Sequence, residues 1–216
     1  TLWIGSYLVG GVGEGYTVAA TGDFNGAAGK IAEGDLSVQR ASDLAVLQGV
    51  VLLREAGRAG VQVPAWETLC CGALALASYG TEAQRKELLP GVAAGEVVLT
   101  PALRGEATYA DGRVTGRKLA VTCAEQASRI LVIAREGDRD VVVLVDPAGP
   151  GVTLLEASAS SSAPRHTLVL EDAPGEVLED GAAAHLADVA RAGLAVTAAG
   201  VLAGARDLTA DYVKGR

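Results

Sequence analysis

The sequence predicts an α+β fold in three parts: an N-terminal helical domain, a middle antiparallel β-barrel-like domain, and the start of a C-terminal helical bundle. Three observations predict it. Apolar residues recur at helical spacing from about Asp43 to Gly95, then at alternate positions from about Val97 to Leu170. The helical period returns after Glu179-Asp180-Gly181 and runs to Val213. The bounds that follow are 43–95, 96–180 and 181–216, with residues 1–42 left unassigned.

In the first forty residues, "GGVGEGY" (Gly10 to Tyr16) has the look of a dinucleotide loop but fails the fingerprint. Tyr16 stands where a third glycine is required, and no βαβ unit follows, so a turn-rich segment is expected. Leu44, Leu47, Val50 and Val51 form the stripe of a first helix ending at Gly57 and Gly60. A second helix, roughly Trp66 to Ser78, carries Leu69, Ala73, Leu76 and Ala77 on one face. The third begins in "YGTEAQRKELLPGVAAGE", where Thr81 and Gln84 have the spacing of a capping box, each side chain meeting the other's unpaired backbone N–H. Leu88 and Leu89 supply its apolar face, and Pro90 is expected to stop it because proline lacks an N–H.

"RVTGRKLAVT", "RILVIARE", "DVVVLVD", "GVTLLEA" and "RHTLVLED" are short β-branched runs separated by Gly, Pro, Asp or Ser, the pattern of a compact antiparallel sheet or barrel. "SASSS" (Ser158 to Ser162) reads as a mobile connection between two of them. The last helix passes through Leu186, Val189, Ala190, Gly193 and Leu194, and its Ala and Gly content predicts close packing on other helices.

Half of the 216 residues are hydrophobic, so the chain can bury a core. A net charge of −8 argues against general nucleic-acid binding, although a few local Arg residues can still receive an anionic ligand. The run Ala192 to Ala205 is bounded by Arg191 and Arg206 and falls short of the roughly 20 apolar residues that span a bilayer, so no membrane partner is expected. No basic segment precedes an apolar one at the start; the chain opens on Thr1 and contains no Met, so it is expected to be part of a longer product. Cys70, Cys71 and Cys123 have no CxxC spacing and fit a reducing cytoplasm. The only histidines, His166 and His185, sit in no HExxH motif; zinc, Walker and EF-hand patterns are absent, and no metal is expected. Glu171-Asp172 and Glu179-Asp180 read as solvated caps rather than acid–base pairs.

A resemblance carries the reading further. "YGTEAQRKELLPGVAAGE" is similar to the segment that closes the N-terminal helical domain of the acyl-CoA dehydrogenase family. "LLREAGRAG" resembles that family's "EELGRA" helix, and "DGRVTGRKLAVTCAEQASRILVIAR" its β-domain hairpin. "GVTLLE…TLVLEDAPGEVLED" resembles the end of the β domain, and "GLAVTAAGVLAGARDLTADYVKGR" the long helix after it. The five blocks fall in the family's order from about Asp43 to Arg216.

The resemblance implies a flavoenzyme fold with FAD between the β domain and a C-terminal bundle. It implies an acyl-CoA substrate dehydrogenated between its α and β carbons, with electron-transfer flavoprotein as electron partner. Thr100 matches the Thr of the family's "LTEP–GSD" segment, which touches flavin, Thr122 matches the hairpin Thr or Ser beside the ring edge, and Arg216 matches an Arg that reaches the cofactor phosphates of a neighbouring subunit. The pattern departs at Pro101-Ala102 and at Glu106-Ala107, and Ala190 stands at one of the two places where the family keeps its catalytic Glu. No catalytic residue is nominated. The expectation is a degenerate or partial subunit that assembles with a homologous subunit, or with itself, in an enzyme for bulky acyl-CoA such as steroid derivatives. The alternatives are a non-catalytic scaffold relative, an acyl-CoA oxidase or a flavin monooxygenase of the same fold.

Overall fold

The computed structural model describes residues 38–158 and 164–215, with side chains from residue 49 onward. "GGVGEGY", "SASSS" beyond Ser158, the side chains of Leu44 and Leu47, and Arg216 therefore lie outside the described residues. The described residues form two compact units, one comprising residues 64–92 and 96–194, the other residues 38–63, 93–95 and 195–215.

The larger unit is built on a seven-stranded sheet: β1 (Leu99–Ala102), β2 (Arg104–Ala110), β3 (Arg113–Thr122), β4 (Arg129–Glu136), β5 (Arg139–Val145), β6 (Val152–Ala157) and β7 (Arg165–Val177). β4, β2, β3, β7 and β5 pair in turn, and β5 returns to β4, so these strands close a ring. β1 extends the ring beside β4, and β6 extends it beside β7. Closure leaves β1 and β6 as the strands paired on one side only, which limits the free sheet edges that otherwise template aggregation. The hairpins are antiparallel, as expected. β4 departs from that expectation by lying parallel to β1 and, at its end, to β2. Its path there passes through the intervening β2–β3 hairpin, an even number of reversals, which returns the chain in the same sense.

Alternation sorts the strands' residues between two cores. Ile130, Val132, Ala134, Val141, Val143 and Val145 fill the barrel with Val114, Val121, Leu168 and Leu170. Leu131, Val142 and Leu144 point the other way and pack with helical residues Cys71, Ala75, Leu76, Leu88 and Leu186. A strand covered on both faces needs no polar side, which is why "VVVLV" reads as an unbroken apolar run. β1 and β2 were not among the runs that alternation picked out. β1 is only four residues and wholly buried, while β2 shows a single buried side chain.

The helices of this unit begin with a π-helical stretch, Trp66–Ala73, which continues into α2 (Leu74–Tyr79). Of the predicted face, Leu76 is fully buried and Leu69 and Ala73 pack half-buried against the core, while Ala77 is exposed; the burial centres instead on Thr68, Cys71, Gly72 and Ala75. Two physical causes account for the shift: π turns hold more residues than α turns and rotate the following side chains. In addition, Gly72 lies so close to β1 that an added Cβ would meet that of Leu99 at 2.4 Å. α3 (Glu82–Ala94) has the predicted capping box: Gln84 N–H donates to Thr81 Oγ1 (3.2 Å) and Thr81 N–H to Gln84 Oε1 (2.9 Å). Pro90 does not stop α3; it sits inside it. Leu88 and Val92 are both buried, so packing holds the helix on each side of the proline. The actual stop is Gly95 (φ 77°), with Glu96 N–H donating to Gly91 O (2.9 Å), a Schellman arrangement.

In the smaller unit, α1 (Val38–Ala59) meets the C-terminal part of α4 (Ala182–Lys214) backbone to backbone. A Cβ at Gly57 would lie 2.4 Å from Thr197 O, one at Gly200 2.0 Å from Arg54 O, and one at Gly204 2.3 Å from Arg58 O. The predicted close packing of the Ala/Gly-rich helix is thus present, with Arg58 and Asp207 paired beside it (2.8 Å). The α1 stripe is corrected: Val50 and Val51 are exposed, and Leu53, Ala56 and Gly57 are buried, because the glycine seam decides which side of α1 approaches α4. α4 is also longer than the Ala192–Ala205 run suggested, and by length and composition alone could cross a membrane. A helix packed against protein can have the same length and composition.

Candidate functional site at the end of β3

Thr122 ends β3, and a bulge decides where it points. The register with β7 shifts between Lys118 and Val121, with Ala120 at φ 56°. One extra residue exchanges the faces of everything after it. Val121 therefore enters the barrel core, and Thr122 turns away from it, half-buried. Cys123 follows in a left-handed conformation (φ 53°) and starts a short 3₁₀ turn, Ala124–Gln126.

Two elements converge on Thr122, β1 and the π-helical stretch. Thr100 of β1 is fully buried, and its hydroxyl donates to Thr122 O at 2.6 Å. The Thr122 hydroxyl donates to Glu67 Oε1 of the π-helical stretch at 2.8 Å. The next residue, Thr68, fastens that stretch to β1: its hydroxyl donates to Leu99 O (3.1 Å) and accepts from Leu99 N–H (3.2 Å). The structure thus brings Thr100 and Thr122 together, while Arg216 lies outside the described residues.

Glu67 escaped the sequence reading. An acidic residue in the first turn of a helix passes for a solvated favourable charge, and only the π geometry with the Thr68–Leu99 clamp brings it to Thr122. Its charge reaches the thiols around it. Burial, reinforced by Glu67, pushes the Cys123 thiol up to about 11. Cys71 is raised by its hydrogen bond with Cys70 and by burial, and the same hydrogen bond holds Cys70 below the usual thiol value.

Next to the 3₁₀ turn, His166 Nε2 lies 3.1 Å from Glu125 Oε1. Ala190 is buried at 1% exposure, and its carbonyl accepts from Trp66 Nε1 at 3.0 Å. Among the described residues, no cluster of three or more His, Cys, Asp or Glu could hold a metal ion.

Chemically, Thr122 offers a hydroxyl oxygen at a half-buried edge whose backbone and proton are both held by protein. Such an edge can meet a planar polar group without having to reorganise. That is a fit to the flavin edge implied for Thr122. Thr100 has no hydroxyl proton left for a ligand and serves to fix Thr122's backbone.

Residues 40–96 match the family described as acyl-CoA dehydrogenase, N-terminal domain. The chain is 35% identical over 177 residues to acyl-CoA dehydrogenase FadE28 of Mycobacterium tuberculosis (strain ATCC 25618 / H37Rv), an alignment covering 76% of this chain and 51% of that protein. Among solved structures it is similar to a variant of the Tcur3481–Tcur3483 steroid ACAD (36% identity, TM-score 0.73, covering 78% of this chain and 50% of that one). It is also similar to the ChsE4–ChsE5 complex from Mycobacterium tuberculosis (26% identity, TM-score 0.74, 79% and 50%). The chain spans about half the length of these relatives.

Proposed function

This chain belongs to the acyl-CoA dehydrogenase family, and from that premise we propose that it is part of an FAD-dependent subunit acting on an acyl-CoA thioester. The observation that carries the proposal is the Thr100–Thr122–Glu67 arrangement at the end of β3, where the resemblance puts the flavin edge. FAD, when bound, accepts the hydride lost from the acyl β-carbon. The chain's own residues bind and orient: Thr122 presents its hydroxyl oxygen, Thr100 anchors the Thr122 carbonyl, and Thr68 pins the π-helical stretch that carries Glu67. Arg216 is proposed to reach cofactor phosphates across a subunit boundary.

Dehydrogenation also needs a base for the α-proton. Ala190, at one of the family's two base positions, has no titratable group, and it is buried. Since Ala190 supplies no base, we propose that the complete reaction takes place in an assembly with a homologous subunit and that residues 1–216 alone are inactive. The relatives named as steroid ACAD and as a two-protein complex support a bulky, steroid-derived acyl-CoA and a hetero-oligomer. Electron-transfer flavoprotein is the proposed acceptor. The cytoplasm is the proposed compartment, consistent with three free cysteines among the described residues. The buried Ala190 also favours a second reading, in which this chain is a non-catalytic scaffold for its partner.

A ferrocenium-coupled assay with added FAD, run on the protein alone and with its homologous partner against short, long and steroid acyl-CoA, tests this. The proposal expects turnover only with the partner. Turnover by the chain alone at the rate of the assembly would contradict the missing base, and none under either condition would leave the scaffold reading.

A further inference from the structure

Away from Thr122, the π-helical stretch carries two adjacent thiols that the proposed reaction does not use. Their settings differ. Cys71 is 0% exposed and belongs to the core between the helices and the sheet, whereas Cys70 is half-buried. Cys71 donates its S–H to the Cys70 sulfur, and the backbone N–H of Gly193 donates to the same atom. The Cys70 thiol in turn reaches Val189 O at 3.2 Å. Gly193 is what lets α4 come this near, since an added Cβ would stand 2.7 Å from Cys70 Sγ and 2.7 Å from Trp66 Cδ1. The Cys71 S–H, with the Gly193 N–H behind it, holds Cys70 below the usual thiol value against its partial burial. The same thiol–thiol bond, then burial and the charges of Cys70 and Glu67, raises Cys71. One sulfur is thus favoured as a thiolate nucleophile, and its neighbour keeps its proton.

We propose that Cys70 and Cys71 form a reversible oxidation site for hydroperoxides, in which Cys70 attacks the peroxide and Cys71 closes a vicinal disulfide. In the first step the Cys70 thiolate attacks the terminal peroxide oxygen. An S–O bond forms, the O–O bond breaks, and the leaving hydroxide or alkoxide takes a proton from water. Cys70 is oxidised to a sulfenic acid and the peroxide is reduced. In the second step the Cys71 sulfur attacks the sulfenic sulfur. An S–S bond forms, the S–O bond breaks, and the Cys71 proton leaves with the hydroxyl group as water. The burial of Cys71 does not obstruct this sequence, because only Cys70 has to meet the oxidant. Adjacency makes the bridge labile. Neighbouring Cα atoms lie about 3.8 Å apart across a trans peptide, below the roughly 4.4–6.8 Å that a disulfide ordinarily spans. Closing the ring therefore bends this peptide out of helical geometry, and a strained bridge is readily reduced by small thiols.

The experiment treats the intact protein, reduced and then freed of reductant, with hydrogen peroxide in equimolar steps. It follows thiol loss and the mass of the tryptic peptide 59–85, which contains both cysteines and not Cys123. The expected result is that one peroxide removes two thiols and leaves the peptide lighter by two hydrogens. Dithiothreitol restores the mass, and Cys123 stays reduced. Cys71→Ser is expected to stop at a Cys70 sulfenic acid that dimedone traps. Cys70→Ser is expected to slow oxidation of the peptide about tenfold or more, because a thiol held protonated is a poor nucleophile. A sulfinic acid on Cys70 with Cys71 still free, oxidation of Cys123 ahead of the pair, or no reaction overturns the inference. The unsubstituted protein gives each of these outcomes by itself, so a variant that fails to fold does not decide the result.

Discussion

At Thr122 the protein commits a backbone bulge and two side chains to holding one residue. The bulge at Ala120 turns it out of the barrel, Thr100 fixes its carbonyl, and Glu67 fixes its hydroxyl. Thr100→Val keeps the shape but leaves the part-buried Thr122 carbonyl without its donor, at a cost of about 1 kcal/mol. The expected outcome is a lower urea midpoint with an unchanged m-value. Lys118 is a second residue-scale test. It is 2% exposed, its ammonium donates to Gly105 O (2.9 Å), and burial holds it below the usual lysine value against the opposing charge of Asp140. Because its folded value is the lower one, the unfolded chain binds more protons between that value and about 10.4. Lys118 therefore adds stability as pH rises through that window and loses it as pH falls. The stability difference between Lys118→Met and the unsubstituted protein, measured by urea titration across the alkaline range, is expected to shift in favour of the unsubstituted protein as pH rises. Cys123, pushed up to about 11, is expected to resist alkylation at pH 8 while Cys70 reacts.

The elements separate what pattern reveals from what tertiary contact decides. Strands β3 to β6 were readable to within a residue because β-branched alternation and turn residues agree locally. The α3 start was readable because a capping box is a local device, and Thr81→Ala is expected to cost about 1 kcal/mol in thermal or urea unfolding. The buried face of α1 was not, because it is chosen by Gly200 and Gly204, distant in sequence; the second helix was readable at Leu69, Ala73 and Leu76 but not at Cys71 and Gly72, whose burial is set by Leu99. Pro90 misled for a related reason, since the packing of Leu88 and Val92 offsets a missing N–H that would end an isolated helix. The candidate site divides in the same way. Thr100 and Thr122 came from motif resemblance, whereas Glu67 needed three-dimensional placement. Gly200→Leu tests the seam. An added side chain meets Arg54 O at the position of its Cβ, so α1 and the end of α4 are expected to lose protection from hydrogen exchange while the barrel strands keep theirs.

For the molecule as a whole, the closed barrel gives a rigid support, and α4 shows how much remains to be covered. Leu194, Val201, Leu202, Leu208, Tyr212 and Val213 of α4 are exposed, and an open groove along it is lined by Leu202, Ala205, Thr209, Ala210 and Val213. Relatives about twice as long provide further chain and, in two solved cases, a second named protein. Apolar helix surface of this extent is ordinarily buried. Sedimentation is expected to show self-association of the chain alone at micromolar concentration, replaced by a defined hetero-oligomer when the homologous partner is added.

The central claim, that this chain is part of a flavoprotein subunit, is tested most directly by the visible absorbance spectrum of the protein purified together with its homologous partner. The account predicts a bound flavin spectrum that is retained through gel filtration, and weakened or shifted by Thr122→Val. A colourless complex that stays colourless after incubation with FAD would contradict it.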